Sequence, residues 1–146
     1  VGKLIVGQNG IFSTPAVSTI IRKYKTQGGI VLTASHNPGG PNADFGIKFN
    51  CDNGGPAPNH VTDKIYEITK SIKSYKLASG IDVDISKIQT HKLDIDGKPF
   101  VVDVIDSVDD YVAMMKEIFD FTSIKALLQG TAGRPKFQVL IDSLNG

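Results

Sequence analysis

Gly29-Ile30-Val31-Leu32-Thr33-Ala34-Ser35-His36-Asn37-Pro38-Gly39-Gly40-Pro41-Asn42 is the stretch on which the reading of this chain turns. Its opening is apolar and β-branched, which predicts a short strand buried on both faces. The six residues after His36 hold two asparagines, two prolines and two glycines. They forbid continuation as helix or strand. Ser35 is therefore expected at the carboxyl end of a buried strand, where open α/β sheets place their ligand sites.

Upstream, Leu4-Ile5-Val6 reads as a strand and Gly7-Gln8-Asn9-Gly10 as a turn-rich loop. Thr14 resembles an N-cap with Pro15 at the first helical position. Val17, Ile20, Ile21 and Tyr24 then mark the apolar stripe of a helix, which Gly28-Gly29 ends. Strand, helix and strand in this order predict a βαβ unit with a right-handed crossover.

Downstream, Phe45 to Asn50 alternates like a half-buried strand, and Asp52 to Pro56 breaks it. Val61, Ile65, Ile68 and Ile72 predict an amphipathic helix. Gln89–Asp94 and Phe100–Ile105 read as two strands joined through Asp96-Gly97, a strong hairpin signal. Ser107 with Asp110 suggests a helix start, with Val108, Tyr111, Val112, Met115 and Phe119 as its stripe. A shorter helix is expected from Ser123 to Leu128. The fold class expected is α/β, a mixed sheet with flanking helices. Residues 1–130 are read as one domain, 131–135 as a linker, and 136–146 as the first strand of a second domain. Strand-like runs close to both ends predict that these residues belong to a longer protein.

The 146 residues are 40% hydrophobic and 21% charged, with a net charge of +1. Nothing there calls for a nucleic-acid or membrane surface. No apolar run approaches the roughly twenty residues that span a bilayer. Cys51 is the single cysteine, so no internal disulfide forms and a reducing compartment, the cytoplasm, is expected.

A serine hydroxyl is a weak nucleophile and needs an adjacent base. The Gly-x-Ser-x-Gly elbow of hydrolases is absent. In an extended segment Ser35 and His36 would point in opposite directions. Gly39 and Gly40 let backbone N–H groups approach an oxyanion, the arrangement that cradles phosphate. Lys48, thirteen residues beyond Ser35 on the next strand, is placed to serve as a base.

Thr33-Ala34-Ser35-His36-Asn37-Pro38 resembles the active-site loop of the α-D-phosphohexomutase superfamily. Gly7-Gln8-Asn9-Gly10, Thr14-Pro15-Ala16, Gly39-Gly40-Pro41-Asn42, Phe45-Gly46-Ile47-Lys48-Phe49-Asn50, Asn53 to Pro58, Thr62 to Ile65 and Val104 to Val108 resemble its α-phosphoglucomutase branch. The resemblance implies the first domain of a four-domain fold. It makes Ser35 a phosphoserine that donates its phosphoryl group to glucose 1-phosphate. Glucose 1,6-bisphosphate forms, turns around, and returns its other phosphate to Ser35, leaving glucose 6-phosphate. His36 corresponds to the residue beside the phosphate, and Lys48 to the lysine proposed as general base or phosphate contact. Mg2+ would touch a phosphoserine oxygen of Ser35, with glucose 1,6-bisphosphate as activator. The implied partners are sugar phosphates, with no nucleic acid and no membrane, for a monomer or weak dimer. The family's metal loop Asp-Gly-Asp-Gly-Asp-Arg, its sugar loop Gly-Glu-Glu-Ser and its distal phosphate loop do not occur in these residues. By themselves they are therefore expected to be inactive. The alternative is a non-catalytic relative used as a scaffold or adhesion protein.

Overall fold

The computed structural model describes residues 2–145. In chain order the elements are β1 (Lys3–Gly7), a 3-10 turn (Gln8–Gly10), α1 (Thr14–Tyr24), β2 (Gly28–Thr33), β3 (Gly46–Cys51), α2 (Asn59–Ser71), β4 (Gln89–Ile95), β5 (Lys98–Ile105), α3 (Asp109–Ile118) and α4 (Phe121–Gln129). The α/β class and the mixed sheet hold. Strand β1 runs parallel to β5 from Lys3↔Val101 to Gly7↔Ile105, while β4 pairs antiparallel on the other side of β5. Central β5 buries Val102 and Val104. The expected hairpin forms: Asp96 (φ 53) and Gly97 (φ 74) are both left-handed, as a type I′ turn requires. The Gly97 N–H also donates to Asp94 Oδ1 at 2.8 Å.

Strands β2 and β3 form a separate antiparallel ribbon, in register from Gly28↔Cys51 to Thr33↔Gly46. This corrects two expectations. No βαβ ladder joins β1 to β2, because β1 takes β5 as its partner and β2 takes β3. Nor is β2 buried on both faces: Val31 is 7% exposed, but Ile30 and Leu32 are 69% and 63% exposed. A short apolar run does not reveal whether one face or two are covered, since that depends on elements far away in sequence.

Helix α1 holds the two sheets in one body. Its stripe buries Ala16, Val17, Ile20 and Ile21, with Val17 and Ile21 packed on Val31 and Phe12. The cap lies one residue earlier than expected, at Ser13, whose Oγ accepts from the Ala16 N–H at 3.3 Å. At its other end the Asp110 carboxylate of α3 accepts from the Lys23 ammonium, and from the Tyr24 hydroxyl at 2.9 Å. Burial, then the bond to Asp110, pushes the Tyr24 phenol up. The start of α3 is also set differently from the sequence reading. The Asp106 carboxylate, not Ser107, takes the N–H groups of Val108 and Asp109 at 2.7 and 2.8 Å. Those bonds hold Asp106 below the ordinary carboxylate range.

Residues 131–135 make a tight turn in which Thr131 and Arg134 exchange backbone hydrogen bonds of 3.2 and 2.8 Å. Over 136–145 no strand forms, against the expectation for 136–146, and Leu140 is 94% exposed. A strand exists through its partner's ladder, and none of the described strands pairs with this run. Gly146 lies outside the described residues. No helix among the described residues is long and apolar enough to cross a membrane.

Two stability measurements test this packing. Ile21→Ala opens a cavity at a fully buried site and should cost about 2–5 kcal/mol in urea denaturation. Ile30→Ala on the open ribbon face should cost less than about 0.5 kcal/mol. The second test uses pH. The Lys3 ammonium, 2.6 Å away, and then the Thr90 hydroxyl hold Asp103 below the ordinary carboxylate range. The folded state thus binds this proton more weakly than the unfolded chain. The stabilisation is complete above the unfolded value, about 4, and is lost as pH falls through the lower folded value. Asp103→Asn should flatten the decline of stability below about pH 4.

Candidate active site

The last register pair of the ribbon, Thr33↔Gly46, is the base of the serine loop. The two backbones approach so closely there that a Cβ on Gly46 would lie 2.8 Å from the Thr33 carbonyl oxygen. Glycine is required by that contact. Beyond it the chain turns sharply, with the Asn37 N–H donating to the Ala34 carbonyl at 3.1 Å. Ser35 occupies a corner of this turn with φ 60, a left-handed conformation that is strained for a serine. The Ser35 N–H is held by Thr33 Oγ1 at 2.8 Å. Strain at an exposed hydroxyl is the kind of local cost that functional sites retain.

The left-handed corner corrects the sequence reading of the adjacent pair. Ser35 and His36 do not diverge, because the backbone at Ser35 is not extended. Ser35 Oγ lies 3.1 Å from His36 Nδ1, within proton-transfer reach. Lys48 stands apart from them. It sits across from Val31 on β3, exposed, with no ion pair or side-chain hydrogen bond among the described residues. Directly paired residues share a face, so Lys48 and Thr33 rise from the same side of the ribbon, two register positions apart.

Ser35 lines a shallow cleft of about 250 Å³ together with Thr33, Ala34, Asn37, Asp44, Phe45 and Gly46. Sequence reasoning missed three polar contacts here. Thr33 carries the hydroxyl that fixes Ser35, Asn37 Nδ2 donates to Asp44 Oδ2 at 2.8 Å, and Asn145 Nδ2 donates to the His36 carbonyl at 3.4 Å. An acid at the far end of a turn-rich loop, directly before a strand, was the available signal for Asp44. Among the described residues no three histidine, cysteine or carboxylate groups converge to hold a metal ion.

The family model described as Phosphoglucomutase/phosphomannomutase, alpha/beta/alpha domain I, matches residues 2–76. The chain is 60% identical over 146 residues to Phosphoglucomutase 1 of Drosophila melanogaster, covering 100% of this chain and 26% of that protein. It is 51% identical over 148 residues to Phosphoglucomutase-1 of Homo sapiens, with the same 100% and 26% coverage. Phosphoglucomutase-like protein 5 of Mus musculus is 49% identical over 148 residues, again covering 100% of this chain and 26% of that protein. Among solved structures, the open form of the exocytosis-sensitive phosphoprotein pp63/parafusin from Paramecium superposes with a TM-score of 0.75. The two share 41% identity over 88% of this chain and 25% of that one. The chain thus spans about a quarter of the length of the curated relatives it matches.

The strained corner gives a direct test. Ser35→Gly and Ser35→Ala both remove the hydroxyl, but only glycine adopts a left-handed φ freely. Ser35→Gly should be the more stable of the two by up to about 1 kcal/mol in chemical denaturation.

Proposed function

Since the chain belongs to the phosphoglucomutase/phosphomannomutase family through its domain I, we propose that Ser35 is the phosphoserine of a phosphoglucomutase that interconverts glucose 1-phosphate and glucose 6-phosphate. The observation that carries this reading is the left-handed Ser35, with its hydroxyl exposed at a strand end and His36 Nδ1 at 3.1 Å. In the first half-reaction the bond from Ser35 Oγ to phosphorus breaks. A bond from phosphorus to the 6-oxygen of glucose 1-phosphate forms, and the 6-hydroxyl proton leaves. The bisphosphate then reorients, its 1-phosphate passes to Ser35 Oγ, and glucose 6-phosphate is released. Phosphoryl transfer needs in-line positioning and neutralisation of spread charge more than covalent help from the protein.

On this reading His36 contacts the phosphate or exchanges the proton of Ser35 Oγ. Lys48, a free cation on the neighbouring strand, serves as base or phosphate contact. The reading calls for Mg2+ and for glucose 1,6-bisphosphate. A phosphorylated Ser35 would offer Mg2+ an oxygen, and the remaining ligands would come from outside these residues. Residues 1–130 would then be the nucleophile domain and 131–135 the connection to a second domain begun at 136–146. The protein would work in the cytoplasm as a monomer or weak dimer, and these residues alone would be inactive.

The test is peptide mass spectrometry of Ser35 in the full-length protein, after glucose 1,6-bisphosphate with Mg2+ and again after glucose 6-phosphate with Mg2+. A phosphate on Ser35 that is lost to glucose 6-phosphate is the expected result. Ser35→Ala should leave no measurable mutase turnover. His36→Ala and Lys48→Ala should each lower kcat, by about 10²–10⁴-fold for whichever carries the proton. A Ser35 that never takes phosphate would favour the non-catalytic scaffold instead.

A further inference from the structure

One carboxylate in the serine cleft has no part in the reaction described above. Asp44 stands where the loop returns to the ribbon, two residues before the paired Gly46. It holds the loop by two hydrogen bonds. Its Oδ2 accepts from Asn37 Nδ2 at 2.8 Å, and its own N–H donates to the Pro38 carbonyl at 3.1 Å. Gly39 also forms a bridge to Asp44, and the Ala43 N–H donates to the Gly40 carbonyl at 3.1 Å. Asn37 is the residue whose N–H closes the turn containing Ser35 and His36. The Asp44 carboxylate therefore reaches across the loop to the closing residue of the nucleophile's turn.

We propose that Asp44 is a positioning residue for phosphoryl transfer, acting through Asn37 to keep the Ser35 turn in its left-handed form. The inference rests on the reading of Ser35 as the phosphoserine. The physical reason lies in the strained corner, since left-handed serine reverts to ordinary backbone angles unless its surroundings hold it. The local bonds from Thr33 and Ala34 act on the turn from the β2 side. Asp44 acts from the β3 side, so the corner is fixed at both ends. Its Oδ2 is taken by the Asn37 amide, the contact through which it acts on the turn. In-line transfer is sensitive to such placement, and an error of about 1 Å is worth about 10²-fold in rate.

The test compares wild type, Asp44→Ala, Asp44→Asn, Asn37→Ala and the Asn37→Ala/Asp44→Ala double variant in the full-length protein. Rapid quenching follows phosphate arriving on Ser35 from glucose 1,6-bisphosphate, and gives both its rate and its final amount per chain. Asp44→Ala should reach the wild-type amount of phosphoserine, at a rate about ten- to a hundredfold lower, with the KM for the bisphosphate nearly unchanged. A mere loss of folded protein would lower the amount and leave the rate alone. Asp44→Asn retains an oxygen for the Asn37 amide and should recover most of the rate. The double variant should be no slower than Asn37→Ala, since both changes break one bond. An Asp44→Ala rate equal to wild type, or multiplicative losses in the double variant, would overturn the proposal. If Asp44→Ala does not fold, Asn37→Ala breaks the same bond from its other end, and an undiminished rate there overturns it equally. A wild type whose Ser35 takes no phosphate would instead sink the phosphoserine reading, an outcome separable from the others.

Discussion

The serine loop is defined by the approach of two backbones at Thr33 and Gly46. A side chain on residue 46 would collide with the Thr33 carbonyl, so the ribbon could not stay paired up to that point. With the pairing intact, twelve residues from Ala34 to Phe45 must leave and return within the width of two strands. Neighbouring strands lie about 4.8 Å apart. A loop so narrow at its base needs a sharp reversal early on. Ser35 supplies it by adopting a conformation that most side chains avoid. The placement of the Ser35 hydroxyl thus follows from the geometry of the ribbon.

The ribbon packs against α1. Val17 and Ile21 pack against Val31 on one side. The Ser18 hydroxyl and the buried Asn50 amide both donate to the Gly54 carbonyl, at 2.6 and 3.1 Å. These bonds tie the far end of β3 to the same helix. Through Lys23 and Tyr24, α1 also meets Asp110 at the start of α3, which follows directly on β5. The serine loop is joined to the mixed sheet by helix packing, with no shared strand ladder.

Features written in a few adjacent residues were legible in the sequence. Asp96-Gly97 specifies its hairpin because both residues accept positive φ. The Val17, Ile20 and Ile21 spacing specifies the buried side of α1. The location of Ser35 at a strand end followed from the change in composition after Leu32. Features decided by distant partners were not legible. Nothing in Leu4-Ile5-Val6 says that β5 will be its neighbour, and nothing in Ile30-Val31-Leu32 says that only one face is covered. At the site, the alternation rule for Ser35 and His36 assumed an extended backbone, and a single left-handed residue undid it. The Asn37–Asp44 bond escaped notice because turn composition announces a reversal without saying which side chains meet across it.

The partner of β1 lies about a hundred residues further along the chain, since Lys3 pairs with Val101. At ribosomal speeds of about 5–20 residues per second, β1 waits roughly 5–20 seconds for β5 to be made. The β2–β3 ribbon and α1 need only the residues up to Cys51. Short-range pairings close first because their loops cost less entropy. On a nascent chain the bend that presents Ser35 can therefore exist well before the mixed sheet does. Among the described residues β1 has no partner other than β5 during that interval.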